Sequence, residues 1–171
     1  MRTRVFTLAM LLALLAPGIA LAQFGDAELG GRVVRCVQTY PRLTIFDDVS
    51  ATVANLNVTL TGWVTDPIKR EELGRQVARL PGVRTLTNVI AVLPPSPADV
   101  ELRQRLARAI YGNSMFFRYG SMSSPPIHII VANGNVRLTG SVNGENERRF
   151  AFALSHVAGA RSITNELRIG R

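Results

Sequence analysis

Apolar residues alternate one for one with polar or small residues along two stretches of the chain. They are Val53-Ala54-Asn55-Leu56-Asn57-Val58-Thr59-Leu60-Thr61-Gly62-Trp63-Val64 and Val131-Ala132-Asn133-Gly134-Asn135-Val136-Arg137-Leu138-Thr139-Gly140-Ser141-Val142. Each runs an apolar strand into an Asn-containing turn and then sets Val, Leu and Val at every second position through a shared Thr-Gly. A period of two points one face of each strand at a core. Asn133-Gly134 suits a type I′ hairpin turn, whose two central residues both need positive φ. The first copy has Leu56 where the second has Gly134. Leucine resists positive φ, so a longer or different loop is expected there.

Helical spacing flanks both hairpins. Leu29, Val33, Cys36, Val37 and Tyr40 mark an amphipathic helix ending near Pro41, with Asp26 or a neighbour as its cap and an acidic first turn that suits the dipole. Residues 41–50 form a connection, and strands are expected over 51–55 and 58–64. Asp66-Pro67 opens a second helix as N-cap and N1, with Ile68, Leu73, Val77 and Leu80 as its buried stripe and Pro81-Gly82 as its stop. Residues 83–92 read as a third strand. After the short, stiff Pro94-Pro95-Ser96-Pro97 stretch the order repeats. Leu102, Leu106, Ala109 and Ile110 match Leu29, Val33, Cys36 and Val37. A longer connection over 111–126 follows, then strands over 127–132 and 135–142. Asn143 is expected to cap a helix with the stripe Phe150, Leu154 and Val157, Gly159 to end it, and 161–169 to form the last strand. Asn88 and Asn165 take equivalent places. The expected fold class is α+β: two tandem small αββαβ units, each a three-stranded sheet with two helices packed on one face. The units are expected over 23–93 and 99–171, with 94–98 as a Pro-rich linker.

The N-terminus adds a location. Arg2 and Arg4 precede an uncharged, mostly apolar run from 5 to 16, Pro17-Gly18 breaks it, and Ala20-Leu21-Ala22 offers a small-x-small cleavage site. Residues 1–22 thus read as a secretory signal peptide cleaved near Ala22; the competing reading is an uncleaved anchor, which the run barely reaches in length. Cys36 is the single cysteine, so the chain cannot hold an internal disulfide. It is expected to be a small buried hydrophobe, the competing reading being a reactive thiol or an intermolecular bridge. None follows the cleavage site, which disfavours lipid attachment.

Charge then separates the halves. The whole chain carries +8. Residues 23–95 hold 8 basic and 7 acidic side chains, residues 96–171 hold 10 and 5, and all basic residues except Lys69 are arginine. Basic excess implies an anionic partner. For an exported chain nucleic acid is a poor candidate, and anionic lipid or polysaccharide a better one.

The repeated pattern, Asn-Gly-x-Val-x-Leu-x-Gly-x-Val followed by a helix and Gly-Val/Ala-x-x-Leu/Ile-x-Asn-x-Ile/Leu, resembles the BON domain of bacterial envelope proteins. The first unit supplies Val58, Leu60, Gly62, Val64, Gly82, Val83 and Asn88. The second supplies Gly134, Val136, Leu138, Gly140, Val142, Gly159, Ala160 and Asn165. The resemblance spans nearly all of the chain after residue 22. It implies a non-enzymatic periplasmic protein that binds phospholipid and supports envelope integrity or osmotic stress tolerance, peripheral on the inner leaflet of the outer membrane. The alternative is a structural adaptor that contacts envelope proteins or associates with itself, without lipid dependence.

The residues offer little chemistry. His128 lies between isoleucines in a strand and His156 near a helix end, with no spacing for a metal site, and only a substrate-sized polar pocket around one of them would point to an enzyme. No cofactor is implied. Asp47-Asp48 is read as a solvated loop, because neighbours in sequence do not normally converge on one reacting group. Gly62 and Gly140, inside strands, are read as points of close backbone approach. Binding candidates gather at the start of the second unit. Arg103, Arg105 and Arg108 lie off the Leu102-Leu106-Ile110 stripe, followed by Tyr111, Met115, Phe116, Phe117, Arg118 and Tyr119. Arginines beside aromatic rings suit a membrane interface, with cations for headgroups and rings for the boundary. That reading expects Arg103, Arg105 and Arg108 to be exposed and at least one of Phe116, Phe117 and Tyr119 to project outward. The plainer reading has the aromatics sealing a core and the arginines as a solvated helix face.

Overall fold

The computed structural model describes residues 25–122 and 124–170. The expectations for residues 1–22 lie outside them. The first unit runs α1 (Asp26–Gln38), β1 (Asp48–Ala54), β2 (Asn57–Val64), α2 (Pro67–Ala78), β3 (Thr85–Asn88) and β4 (Ala91–Val92). The second runs α3 (Pro97–Tyr111), α4 (Phe117–Gly120), β5 (Ile127–Ala132), β6 (Asn135–Val142), α5 (Glu145–Leu154), β7 (Ser162–Asn165) and β8 (Arg168–Ile169). In each sheet the first strand pairs antiparallel with the central one, and the third runs parallel on its other side. Each unit buries its own core. Leu29, Val33, Val58, Leu60, Leu73 and Val77 fill one, and Leu102, Leu106, Ile110, Ile129, Val136 and Leu138 the other.

Both hairpins turn through two residues of positive φ. Asn133 and Gly134 stand at φ 52 and 78, and Asn55 and Leu56 at 53 and 64. The first turn is therefore the same tight turn and not the longer loop expected. The reason lies in α1. Asp26 is not the N-cap, which falls at Gly25 without a side-chain bond. Its carboxylate instead accepts the N–H groups of Asn55 and Leu56 at 2.7 and 2.8 Å. Asp99 does the same for Asn133 and Gly134 at 2.7 and 2.8 Å. Two charge-assisted hydrogen bonds hold Leu56 in a conformation that costs a leucine about 1–2 kcal/mol.

Other differences have equally local causes. The last strand of each unit is broken in two. Asn88 donates to Arg70 O and accepts from Ile90 N, while Asn165 does likewise with Arg148 O and Leu167 N. Each asparagine thus interrupts its ladder by turning the chain back onto a helix. Strand β1 begins at Asp48, three residues earlier than expected, because Asp47 is anchored. Helix α2 buries Lys69, Leu73 and Val77 and leaves Ile68 exposed, so its stripe starts one residue later. Helix α5 has Gly144 as N-cap, and the Asn143 side chain reaches Tyr119 and Glu147 instead. Its buried residue is Ala151; Leu154 and Val157 are half-buried and Phe150 is at the surface. Helix α3 begins at Pro97, capped by Ser96. Cys36 is half-buried, 3.9 Å from Gln76 Oε1, and burial pushes its thiol up. At Gly62 and Gly140 a Cβ would lie 2.0 Å from the carbonyl oxygens of Asp48 and Pro126. Only glycine lets those strands approach so closely.

The units touch through the 41–47 connection. Ile129 N donates to Ile45 O at 2.7 Å, and Ile45 and Phe46 pack on the second core. Arg137 also sits 4.8 Å above the Trp63 ring, a cation–π contact.

Candidate functional site

Helix α3 carries the three arginines on different parts of its surface. Arg103 is 6% exposed, and its Nη2 donates to Val131 O at 2.6 Å on the outer edge of β5. It is not the surface cation expected, because it follows Leu102 onto the sheet side of the helix. Burial lowers its guanidinium, while Asp99 and Asp47 oppose that shift. Arg105 is half-exposed and reaches Glu101 at 3.4 Å. Arg108 is exposed and carries no ion pair among the described residues.

The aromatics divide in the same way. Phe116 is fully buried, its ring 6.0 Å from that of Tyr119 and 6.2 Å from that of Phe150. Tyr119 is half-buried, donating to Glu147 at 2.7 Å and accepting from Asn143 Nδ2 at 2.7 Å. Burial, then Glu147, raises its phenol. Tyr111 donates to Ile127 O, and burial pushes its phenol up as well. Phe117 points out and is 69% exposed.

Around Phe117 lies an open groove of about 590 Å³ lined by Ala107, Arg108, Tyr111, Gly112, Gly120 and Ser121. Met115 and Met122 are exposed nearby in the chain, and Arg118 is exposed next to Phe117. Of the expected set the structure thus brings Arg108, Phe117 and Arg118 to the surface. It uses Arg103, Phe116 and Tyr119 to hold the segment in place. Met122 and the groove floor were missed by sequence reasoning. A methionine two residues beyond Gly120 was the available sign, being a flexible apolar side chain in an otherwise polar turn.

The Asp47-Asp48 pair is not a solvated loop. Asp47 is buried and accepts from Thr44 N and Oγ1 at 2.8 Å, Thr65 N at 2.7 Å, Thr65 Oγ1 at 2.9 Å and Lys69 Nζ at 2.6 Å. Burial alone would raise its carboxyl, but the bonds from Lys69, Thr65 and Thr44 outweigh it and hold the group below its ordinary range. The only lysine of the chain is thus the buried partner of this aspartate. With five donors on its two oxygens Asp47 has no lone pair left for a substrate proton. A cleft of about 730 Å³ opens beside it, between the units, and His128 lines it. His128 Nδ1 is buried without a partner. Among the described residues no three His, Cys, Asp or Glu side chains gather where a metal could sit, and no helix is long and apolar enough to cross a membrane.

A family model described as BON domain matches residues 38–94 and 98–171. Among solved structures, the chain is similar to the C-terminal domain of CdsD, the structural protein of the type III secretion system of Chlamydia trachomatis. That match has 15% identity and a TM-score of 0.33, covering 86% of this chain and 100% of that one. A second CdsD structure matches at 14% identity and a TM-score of 0.30, over 80% and 90% of the two chains. No curated protein matches the chain.

Proposed function

The chain belongs to the BON-domain family, in tandem, and from that premise we propose that it is a non-enzymatic module of the bacterial envelope that lies against anionic phospholipid through the α4 segment. The observation that carries this reading is the outward Phe117 in an apolar groove that Arg108 also lines, with the exposed Arg118 next to it in the chain; among the described residues neither arginine has an ion pair. Each arginine near an anionic surface contributes about 1 kcal/mol. The pair thus supplies about 2 kcal/mol, roughly thirtyfold, and burying the phenylalanine ring adds a term of about 2 kcal/mol. Binding of that size is peripheral and reversible, and salt weakens it. The family match and the expected signal peptide support a periplasmic location, on the inner leaflet of the outer membrane, and the family reading a part in stress tolerance. The saturated Asp47 supports a non-enzymatic role.

Co-sedimentation of the chain from Gln23 onward with neutral and anionic vesicles tests the reading. We expect binding to anionic vesicles only, weakened at least tenfold by high salt and by Arg108→Ala with Arg118→Ala. Phe117→Ser should weaken it at either salt. No binding to anionic vesicles, or equal binding to both kinds, sinks the lipid reading.

A further inference from the structure

Directly paired residues, and every second residue along a strand, turn their side chains to one face of a sheet. In the second sheet Ile129, Val136 and Leu138 face the core, so His128 faces away from it, with its partner Thr139 and with Ser141. Arg168 pairs with Ser141 and shares that outer face. In the first sheet Val49 packs on the core, so Asp48 and Ser50 face away, as does Trp63, the partner of Asp48. The two outer faces meet where Arg137 sits over Trp63. Further along β6, at Ser141, they part into the cleft of about 730 Å³.

The walls of that cleft carry groups the protein does not satisfy. Asp48, Ser50, His128, Ser141 and Arg168 line it, with Leu43 and Pro126 as apolar wall. Asp47 offers a ligand nothing, because its five donors fill it. Asp48 and Arg168 bear opposite charges, yet neither is in an ion pair or side-chain hydrogen bond among the described residues, and the hydroxyls of Ser50 and Ser141 are equally without partners. His128 Nδ1 is buried without a partner, so the neutral ring carries its proton on Nε2. Charges in a cleft with low-dielectric walls act more strongly than on an open surface.

We infer that the cleft binds a short peptide with free ends, its carboxylate at Arg168 and His128 and its ammonium at Asp48. Opposite charges left unpaired on the two walls complement a ligand that carries both. Ser50 and Ser141 suit its peptide groups, and Leu43 and Pro126 its side chains. An extended chain spans about 3.4 Å per residue, so three residues reach roughly 10 Å, the usual separation of facing sheets. The volume lies within the range of roughly 300–1,000 Å³ for small-ligand sites, which favour domain interfaces. Among the described residues no carboxylate bonds the His128 ring, as the orientation of a catalytic base requires, so the arrangement fits capture rather than hydrolysis. The inference is independent of the lipid surface, because Arg108, Phe117 and Arg118 do not line the cleft.

The test titrates three peptides into the chain from Gln23 onward, which retains every described element. They are trialanine with free ends, its N-acetyl form and its C-terminal amide. We expect free trialanine to bind with a Kd of about 1 mM or tighter, and each blocked form at least tenfold more weakly. Arg168→Ala should make the free peptide and the amide bind alike, and Asp48→Ala the free and acetylated peptides. Arg108→Ala with Arg118→Ala, which should weaken vesicle binding, should leave peptide binding unchanged. The blocked peptides need no variant, so the comparison holds even where a variant fails to fold. No binding of free trialanine would overturn the inference. So would an amide as tight as the free peptide, or discrimination that survives both cleft substitutions. An acetylated form as tight as the free peptide would overturn it too, and would assign the cleft to the carboxyl terminus of a longer chain.

Discussion

The only lysine of the chain is buried, and its partner Asp47 collects five hydrogen bonds. Removing one member of such a pair strands the other. Asp47→Ala leaves an ammonium group without its counter-ion and should cost about 3–5 kcal/mol in urea unfolding at neutral pH. Lys69→Met should cost less, because Thr44 and Thr65 still satisfy the carboxylate. The pair also sets a direction with pH. The carboxyl is held below its unfolded value of about 3.9, so its stabilisation is complete above that value. It disappears as pH falls through 3.9 toward the folded value. The loss of stability with acid below about pH 4.5 should therefore be shallower in Asp47→Ala than in the parent. Equal slopes would remove Asp47 from the account. Spacing did not reveal this residue: Thr44, three positions away, supplies two of its five bonds, but the other three come from Thr65 and Lys69 and form only when β2 and α2 fold against the connection.

At the scale of elements, each unit is held by a clasp between its first helix and its hairpin turn. Asp26 ties α1 to the β1–β2 turn, and Asp99 ties α3 to the β5–β6 turn. Charge-assisted hydrogen bonds contribute about 1.5–3 kcal/mol each before strain. Asp99→Ala should therefore destabilise the chain by roughly 2–4 kcal/mol, read as a lower urea midpoint. An unchanged midpoint would show that the turn holds itself. The elements themselves were legible, because period-two and helical spacing depend on neighbours along the chain. Alternation located β6 to the residue and β2 to within one residue at its start, and Asp66-Pro67 marked the start of α2 with its side-chain cap. What failed was decided across the chain. The Leu56 turn depends on an aspartate thirty residues away, and the breaks after Asn88 and Asn165 depend on carbonyls of the preceding helix. The candidate site divided for the same reason. Spacing alone could not tell Arg103, turned onto β5, from Arg108, turned to solvent.

The whole molecule is a repeat whose copies have diverged in use. The second unit carries most of the positive charge, closes its sheet edge and lengthens its helix-to-strand connection into the α4 segment with Phe117 outward. The first unit lends Ile45 and Phe46 to its neighbour. The most direct measurement of the lipid-facing claim places a single reporter at its centre: the chain with Trp63→Phe and Phe117→Trp, titrated with anionic vesicles containing brominated acyl chains. The account requires a blue shift and strong quenching of the new indole, both reversed by salt. Sedimentation with the vesicles but no quenching would show that the protein binds by another face and would contradict the account at its centre.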